Sequence, residues 1–559
     1  MPHAVPLPSV DLLQRIPLSA RTILDVGCGQ GEFGAAFKRL SPRTRVFGLT
    51  DDPIAATLAA EHLHAVAVLD PETAAVPFDV PGGYDCILYS AVLPHWRDPF
   101  AVIRRHAELL APDGMMLLCV PNIEHWSFTE RLLRGTWDYE PFGLFDRGHL
   151  RWFSLEGMRR GLVEAGLILC DVQPRVFDAE PARRFATALA PSLAALGIDP
   201  EGYARRASAL QFIWRVRKEP KPRLTLAGTM MAPVGGVSHV RMAQPFQAMA
   251  TDPLVSATLG NEINLSGGKD GTPHIFVLHR PTLVGEQGRE LLRVLTEAGW
   301  LVVTEFDDHP DFFAGMHDDA QLTFRGVHAV QTSTPELAEA LRGRNPEIAV
   351  FPNAIDALPE VRNFADPRAL TFFFGALNRE QDWRDYLPVI NAVAEMAGER
   401  LKFQVLHDEA FFNALTTPHK TFTPICDYAT YNDILGQCEI SFMPLADNGF
   451  NRAKSDLKFI EAGAHRVVPL ASSVVYGDSI VDGQTGLMFR DPHELRARLM
   501  RLLVMPEVAR TIGDRAREYV ARERMLAYQV APRIAWYRDL WNRREALTAA
   551  LHARLAAES

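Results

Sequence analysis

The chain has 559 residues, 47% hydrophobic and 23% charged, with a formal net charge of −10. That length exceeds what one hydrophobic core organises and predicts about three domains. The composition excludes a mainly disordered chain, and an acidic balance with no basic segment excludes a general nucleic-acid binder.

The six cysteines (Cys28, Cys86, Cys119, Cys170, Cys426 and Cys438) form no CxxC pair, which fits reduced thiols and excludes a zinc site of the usual spacing. The opening "MPHAVPLPSVDLL" lacks a basic n-region and an apolar h-region, and no run approaches membrane-spanning length. A cytoplasmic location is expected. In chain order, strand-length apolar runs read "TILDV", "RVFGL", "AVAVLD", "YDCILYS", "MMLLCVP" and "LILCDV", separated by helix-period segments. "LQFIWRVR" (210–217) alternates as an edge strand does, and "KEPKP" (218–222) reads as a linker. The pattern restarts with "RLTLAG", a glycine loop "APVGGVSH" and a helix from about Val240, then strands "HIFVLH", "WLVVTEF", "GVHAVQTS" and "EIAVFPN". A third set comprises "LTFFFG", "LKFQVLH", "CEISFMPL" and "HRVVPLAS", and a helical tail spans 505–558. Such alternation predicts an α/β protein built on parallel sheets.

The first turn, "LDVGCGQG", places Gly27, Gly29 and Gly31 between a strand and a helix, where a ligand can approach bare backbone. Its G-x-G-x-G spacing resembles motif I of class I S-adenosylmethionine-dependent methyltransferases. "YDCILYSAVLPHWRDPFAVIRRHAELLAPDGMMLLCVPN" and "GLFDRGHLRWFSLEGMRRGLVEAGL" extend that resemblance over about residues 15–218, toward a subgroup associated with sugar and glycan methylation. The resemblance implies S-adenosylmethionine as cofactor, with Asp25 toward its ammonium and the three glycines against its methionine and ribose. Asp51, one step beyond the usual ribose acid's place, is assigned to the ribose and Asp70 to the adenine; helix N-capping before Pro53 and Pro71 is the competing reading for both. Activated methyl sulfonium needs positioning and at most one proton acceptor, for which His149 is placed ahead of His95.

Further on, "VHAVQTSTPELAEAL", "IAVFPNAID" and "ISFMPLADNGFNRAKSDLKFIEAGAHRVVPLASSVVYGDSIVDGQTGLMF" resemble retaining glycosyltransferases of the two-lobed GT-B fold. The resemblance implies a nucleotide-sugar donor, with Glu461 accepting from the nucleotide ribose and Lys454 and Arg379 facing the diphosphate. Gly236, in the glycine loop, is assigned to the same donor. Ala453 stands where the family often has a second glutamate, and Lys458 reads as an exposed helix charge. Asp307, Asp308 and His309 end a strand facing the cleft; a metal reading is set aside for acceptor-hydroxyl binding, with Asp308 and His309 named for that chemistry, and no metal is expected. His239 is a further cleft residue. The aromatic residues Tyr528, Trp536, Tyr537 and Trp541 of the tail are expected to be buried, with a membrane-facing use near a lipid-linked acceptor as the alternative.

Together these readings predict three Rossmann-like domains: a methyltransferase over 1–218, a linker at 219–222, glycosyltransferase lobes over 223–360 and 361–530, and a terminal helix over 531–559 packing back on the first lobe. The expected function is a bifunctional transferase of surface-glycan biosynthesis, with a glycan or lipid-linked saccharide as acceptor and no nucleic-acid partner. The alternatives are a glycan methyltransferase whose two-lobed unit only binds glycan, and a methyltransferase acting on protein or a small metabolite.

Overall fold

The computed structural model describes residues 10–231, 236–262, 271–312, 321–364, 366 and 368–556. The chain divides into two compact units, one formed chiefly by residues up to Pro222 and the other by those from Arg223 onward.

The first unit is built on seven strands: β1 (Thr22–Val26), β2 (Arg45–Thr50), β3 (Ala65–Val68), β4 (Tyr84–Ser90), β5 (Leu110–Pro121), β6 (Ile168–Arg175) and β7 (Gln211–Arg217). Their order is β3-β2-β1-β4-β5-β7-β6. β1 to β5 run parallel, while β7 is antiparallel to both neighbours. Leu24, Val26, Leu49, Ile87, Tyr89, Met116, Leu118 and Trp214 belong to its core, which explains why these strands read as continuous apolar runs. Chain order reverses direction at β1, between β2 and β4, the place where doubly wound sheets open a crevice at the carboxyl ends of their strands. The helix Pro99–Ala107 that follows β4 starts where its sequence dictates: Asp98 accepts from the Ala101 N–H at 3.0 Å and Pro99 takes the first helical position.

One expectation is corrected. "LQFIWRVR" is not an edge strand, because β7 lies between β5 and β6. Its alternation arises from arginines rather than from solvent. Arg215 is buried and its guanidinium donates to both oxygens of Asp171 on β6, so the polar positions are paired inside the structure.

The second unit contains two six-stranded sheets. The first comprises β8 (Leu224–Thr229), β9 (Val255–Gly260), β10 (His274–His279), β11 (Leu301–Glu305), β12 (Ala329–Thr332) and β13 (Ile348–Val350), in the order β13-β12-β11-β10-β8-β9. The second comprises β14 (Leu370–Gly375), β15 (Leu401–Leu406), β16 (Lys420–Thr423), β17 (Ile440–Met443), β18 (Val468–Ser472) and β19 (Leu487–Phe489), in the order β16-β15-β14-β17-β18-β19. Every pairing in both is parallel. The protein is therefore α/β with three parallel-rich sheets.

The helix expected near Val240 opens with a π-helical turn, His239–Ala243, and continues as Gln244–Ala250. The tail is three helices rather than one: Pro506–Glu523, Ala527–Asn542 and Arg544–Ala556. The last two cover the first sheet of this unit. Tyr537 is fully buried and donates to Gln331 of β12 at 2.7 Å, and Trp541 lies 6.2 Å from the ring of His274. Trp536 meets Phe351 edge-on at 5.5 Å. Packing accounts for these aromatic residues. Among the described residues no helix is long and apolar enough to cross a membrane.

Candidate functional site

In the first unit the site begins where β1 ends. Gly27, Gly29 and Gly31 all take positive φ (79°, 53° and 84°), a region that side chains disfavour. Their surroundings differ. A Cβ on Gly27 would sit 2.1 Å from Val92 Cγ1, so this glycine is needed for close packing on the segment after β4. A Cβ on Gly29 would meet only the Glu32 carboxylate, at 3.7 Å. The open space above Gly29 is where a ligand has room.

Asp25 points from the end of β1 with only 2% of its surface exposed. Burial, with Glu32 adding repulsion, pushes its carboxyl up to about 7. A buried acid whose charge is opposed by its surroundings is suited to a cationic ligand group, and the bare Gly29 beside it leaves such a group room. The two other acids separate. Asp52, not Asp51, caps the helix Pro53–Ala59 by accepting from the Ile54 and Ala55 N–H groups. That leaves Asp51 exposed just beyond β2. Asp70 instead accepts from the Glu72 N–H and the Thr73 hydroxyl, both at 2.9 Å, and so organises its own turn.

His95 and His149 come together. Their rings meet edge-on at 5.0 Å, and one ligand-type atom each from His95, Asp146 and His149 lies within 4.8 Å of the others. His95 ends the short 3₁₀ turn Leu93–His95, directly after Val92, which touches the glycine turn. The loop carrying Asp146 and His149 is tied to it by the Leu150 and Arg151 N–H groups, which donate to the Pro94 carbonyl at 2.7 and 3.0 Å. Burial foremost, with His95 beside it, holds the His149 ring below the usual imidazole value, against Asp146 and the Leu144 carbonyl, which favour a proton. Asp146 was not singled out in the sequence, although its spacing of three from His149 within one loop was available as a signal.

In the second unit a cavity of about 220 Å³ is lined by Arg241, Arg280, Asp307, Asn353, Arg379, Lys454, Lys458 and Tyr476, among others. Lys454 and Arg379 both line it. Arg379 is braced by Asp382 at 3.1 Å and by the Asn451 side-chain amide oxygen at 2.9 Å. Lys454 lies 4.0 Å over the Phe450 ring and donates to both oxygens of Asp308, at 2.8 and 2.9 Å. This modifies the expectation for Asp308: it is not a free hydroxyl acceptor but the counter-ion of Lys454. Asp307 is likewise taken by Arg280 at 2.6 Å; burial raises its carboxyl, and Arg280 outweighs that to leave it below the usual range. His309 accepts from the Asp311 N–H at 3.3 Å and packs on Phe312.

Lys458 overturns its reading as an exposed charge. Its ammonium donates to the Gly375 carbonyl at 2.5 Å, and burial lowers its value to about 8. Three residues further along the same helix, Glu461 is 3% exposed and accepts from the Tyr428 hydroxyl at 2.8 Å. Burial raises its carboxyl to about 7, against the Tyr428 and Tyr431 hydroxyls and Lys458. His239 stacks on Tyr428 with centroids 5.4 Å apart, and a Cβ on Gly236 would lie 2.7 Å from the same ring. The preceding loop residues, 232–235, lie outside the described residues. Ala453 is buried with no carboxylate to offer.

Beneath the cavity lies a buried group that no local sequence pattern marks. Arg241 grips Glu305 through two bonds of 2.8 and 3.0 Å and also donates to the Phe351 and Asn353 oxygens. Asn353 in turn donates to Ser455 at 2.7 Å, next to Lys454. Nothing in the local sequence of "SHVRMAQ" distinguishes Arg241 from a surface arginine.

Residues 3–170 match the family model of a methyltransferase domain. The chain carries a methyltransferase domain. An ubiquinone biosynthesis O-methyltransferase of Xanthomonas campestris pv. campestris is 31% identical over 112 residues, 19% of this chain and 46% of that one. A trans-aconitate 2-methyltransferase of Methylobacterium nodulans is 31% identical over 137 residues, 24% of this chain and 52% of its own. The chain thus spans about half the length of these curated relatives. Solved structures similar to it include a sucrose-phosphate synthase from Thermosynechococcus elongatus, at 14% identity and TM-score 0.43, covering 57% of this chain and 100% of that one. HepE from Anabaena in complex with UDP and glucose aligns at 10% identity and TM-score 0.42, covering 56% and 98%.

Proposed function

We propose that the chain is a bifunctional transferase of glycan assembly, in which the methyltransferase domain methylates a sugar hydroxyl and the second unit transfers a sugar from a nucleotide donor. The observation that carries the first half is the pairing of the buried Asp25 with the open face of Gly29 at the end of β1. S-adenosylmethionine bound there supplies an electrophilic methyl group. In this reading Asp25 holds its ammonium, Asp51 takes the ribose hydroxyls, and the His95–Asp146–His149 cluster lies on the acceptor side. Tyr139, Phe142 and Trp152 stand exposed on the segment around that cluster, a surface suited to the apolar face of a sugar ring.

The second half is supported by Arg280, Arg379, Lys454 and Lys458 lining one cavity, a concentration of positive charge suited to a diphosphate, with Glu461 on the helix that carries Lys458. A diphosphate bound there would compete with Asp308 for Lys454, while the His309 N–H and Arg280 keep their contacts with that carboxylate. One observation favours a second reading, in which this unit only binds glycan: the buried Ala453 in place of the usual glutamate. Purified protein incubated with labelled S-adenosylmethionine and a panel of nucleotide sugars tests both halves. Label in a saccharide fraction together with released nucleoside diphosphate is expected; neither signal would end the proposal, and methylation without diphosphate release would favour the second reading.

Two results sharpen the test. Because a cation must meet the ionised form of Asp25, S-adenosylmethionine is expected to bind more tightly as pH rises from about 6 to about 8, with release of a proton. Calorimetry in buffers of different ionisation enthalpy measures that proton, and Asp25→Asn should remove both it and the pH dependence. Glu461→Gln should raise the donor KM or lower kcat by the equivalent of about 1–3 kcal/mol, through loss of charge-assisted bonds to the ribose. Methylation by the same variant should be unchanged; steady-state assays of both reactions check the pair.

A further inference from the structure

The cluster on the acceptor side of the methyltransferase domain has a feature that proton transfer does not need. Three groups of ligand type, two imidazoles and a carboxylate, converge although one would serve as a base. Their second contacts fix how they face. The Gly148 carbonyl can only accept, so the His95 Nδ1 it meets at 3.2 Å carries the proton, and Nε2 is left with a free lone pair. Asp146 accepts from the Gly148 N–H through one oxygen at 2.7 Å, which holds the carboxylate while its other oxygen stays available. His149 is 8% exposed, and its buried Nδ1 has no hydrogen-bond partner, an arrangement that costs free energy unless something occupies it. Backbone bonds to the outer side of each ligand are how proteins orient metal-binding side chains.

We propose that His95, Asp146 and His149 form a site for one divalent transition cation of the zinc, cobalt or iron(II) type, and that this cation binds the acceptor hydroxyl. The proposal rests on the methyltransferase reading for its role, not for its existence. Two nitrogens and one oxygen match the softness of these cations better than that of magnesium or calcium, which favour all-oxygen shells. Ligands of a tetrahedral cation stand on the order of 3.4 Å apart at bond lengths of about 2.1 Å, so the three groups need to close inward only modestly. Three protein ligands leave positions open, and the exposure of His95 puts them toward solvent, where an acceptor enters. A hydroxyl bound there has its proton affinity lowered, as water does on zinc. Its proton leaves to solvent, its oxygen bonds the methyl carbon, and the donor's carbon–sulfur bond breaks with the electron pair passing to sulfur. His95 and His149 then act as ligands and not as the proton acceptor.

The full chain, stripped with chelator, is titrated with Co2+ followed by visible absorption and with Zn2+ followed by calorimetry, with S-adenosylmethionine affinity measured on the same samples. One saturable site is expected, with a cobalt d–d spectrum that includes nitrogen ligation. Asp146→Asn and His95→Ala should each weaken it at least about tenfold. His95 is on the surface, so its variant keeps the fold even if changes at His149 do not. No saturable binding, or equal binding by wild type and both variants, would overturn the site. Metal binding without S-adenosylmethionine binding would uphold the site and reject its proposed role in methyl transfer; the reverse would reject the site alone.

Discussion

Gly29→Val is expected to abolish S-adenosylmethionine binding, weakening it at least a hundredfold, about 2.7 kcal/mol, while sugar transfer by the second unit continues. The size of the effect follows from where the new atoms go. The Cβ of Gly29 meets nothing of the protein closer than the Glu32 carboxylate at 3.7 Å, so the valine methyls extend into the space the cofactor needs. The backbone adds to it: φ of 53° at Gly29 is a left-handed conformation that a β-branched residue resists, at a cost of about 1–3 kcal/mol. Gly27→Ala is the control. Its added methyl would lie 2.1 Å from Val92 Cγ1, inside the protein, and should lower the melting temperature of the unit whether or not cofactor is present. Calorimetric titration and thermal unfolding of the two variants separate the outcomes. If Gly29→Val binds the cofactor as wild type does, the turn does not hold it.

How far such a site can be read without coordinates depends on what each residue must do locally. The strand–glycine–helix turn was legible because Gly27, Gly29 and Gly31 answer to backbone conformation, which leaves its mark in consecutive residues. Buried central strands such as "TILDV" and "LTFFFG" were legible because both their faces are covered. The strands that were missed, β9, β16 and β19, all lie at sheet edges, where "VSATLG" and "KTFT" have no apolar run to show. β7 was found but placed at an edge, because its arginines suggested solvent and the partner Asp171 lay about 40 residues away in the chain. The same limit applies to the sites. Lys454 and Arg379 were identified through a sequence resemblance, yet the ion pair of Lys454 with Asp308 spans 146 positions and no local pattern announces it. Lys458 reads as any helix-surface lysine, because the Gly375 carbonyl it meets lies 83 positions away in the chain. Asp146 was overlooked because a cluster with His95 needs two loops to meet.

The largest effect on stability is expected where sequence said least. Arg241→Met should destabilise the second unit by about 3–5 kcal/mol, more than any surface substitution. Glu305 has no exposed surface, and Arg241 supplies two of its hydrogen bonds, with Gln331 giving a third at 2.7 Å. Without the guanidinium, the carboxylate keeps only that neutral donor in a setting where burial already pushes its pKa upward. In the variant the folded-state pKa of Glu305 rises further above its unfolded value, so the folded form retains a proton that the unfolded form has lost. The deficit relative to wild type should therefore be greatest at neutral and alkaline pH and shrink as pH falls through the raised folded-state value of the variant toward that of wild type, below which both folded proteins carry the proton. Thermal or denaturant unfolding of wild type and variant across that range measures it. Arg241→Met combined with Glu305→Met should recover part of the loss, because the pair is replaced as a whole while the buried Arg533 loses the counter-charge Glu305 gives it. The double variant should still be impaired in sugar transfer. Arg241 also positions Asn353, which bonds Ser455 beside Lys454, and a methionine gives Asn353 nothing to lean on. Recovery of stability without recovery of the donor KM would separate the two duties of this arginine; recovery of both would confine it to holding the fold.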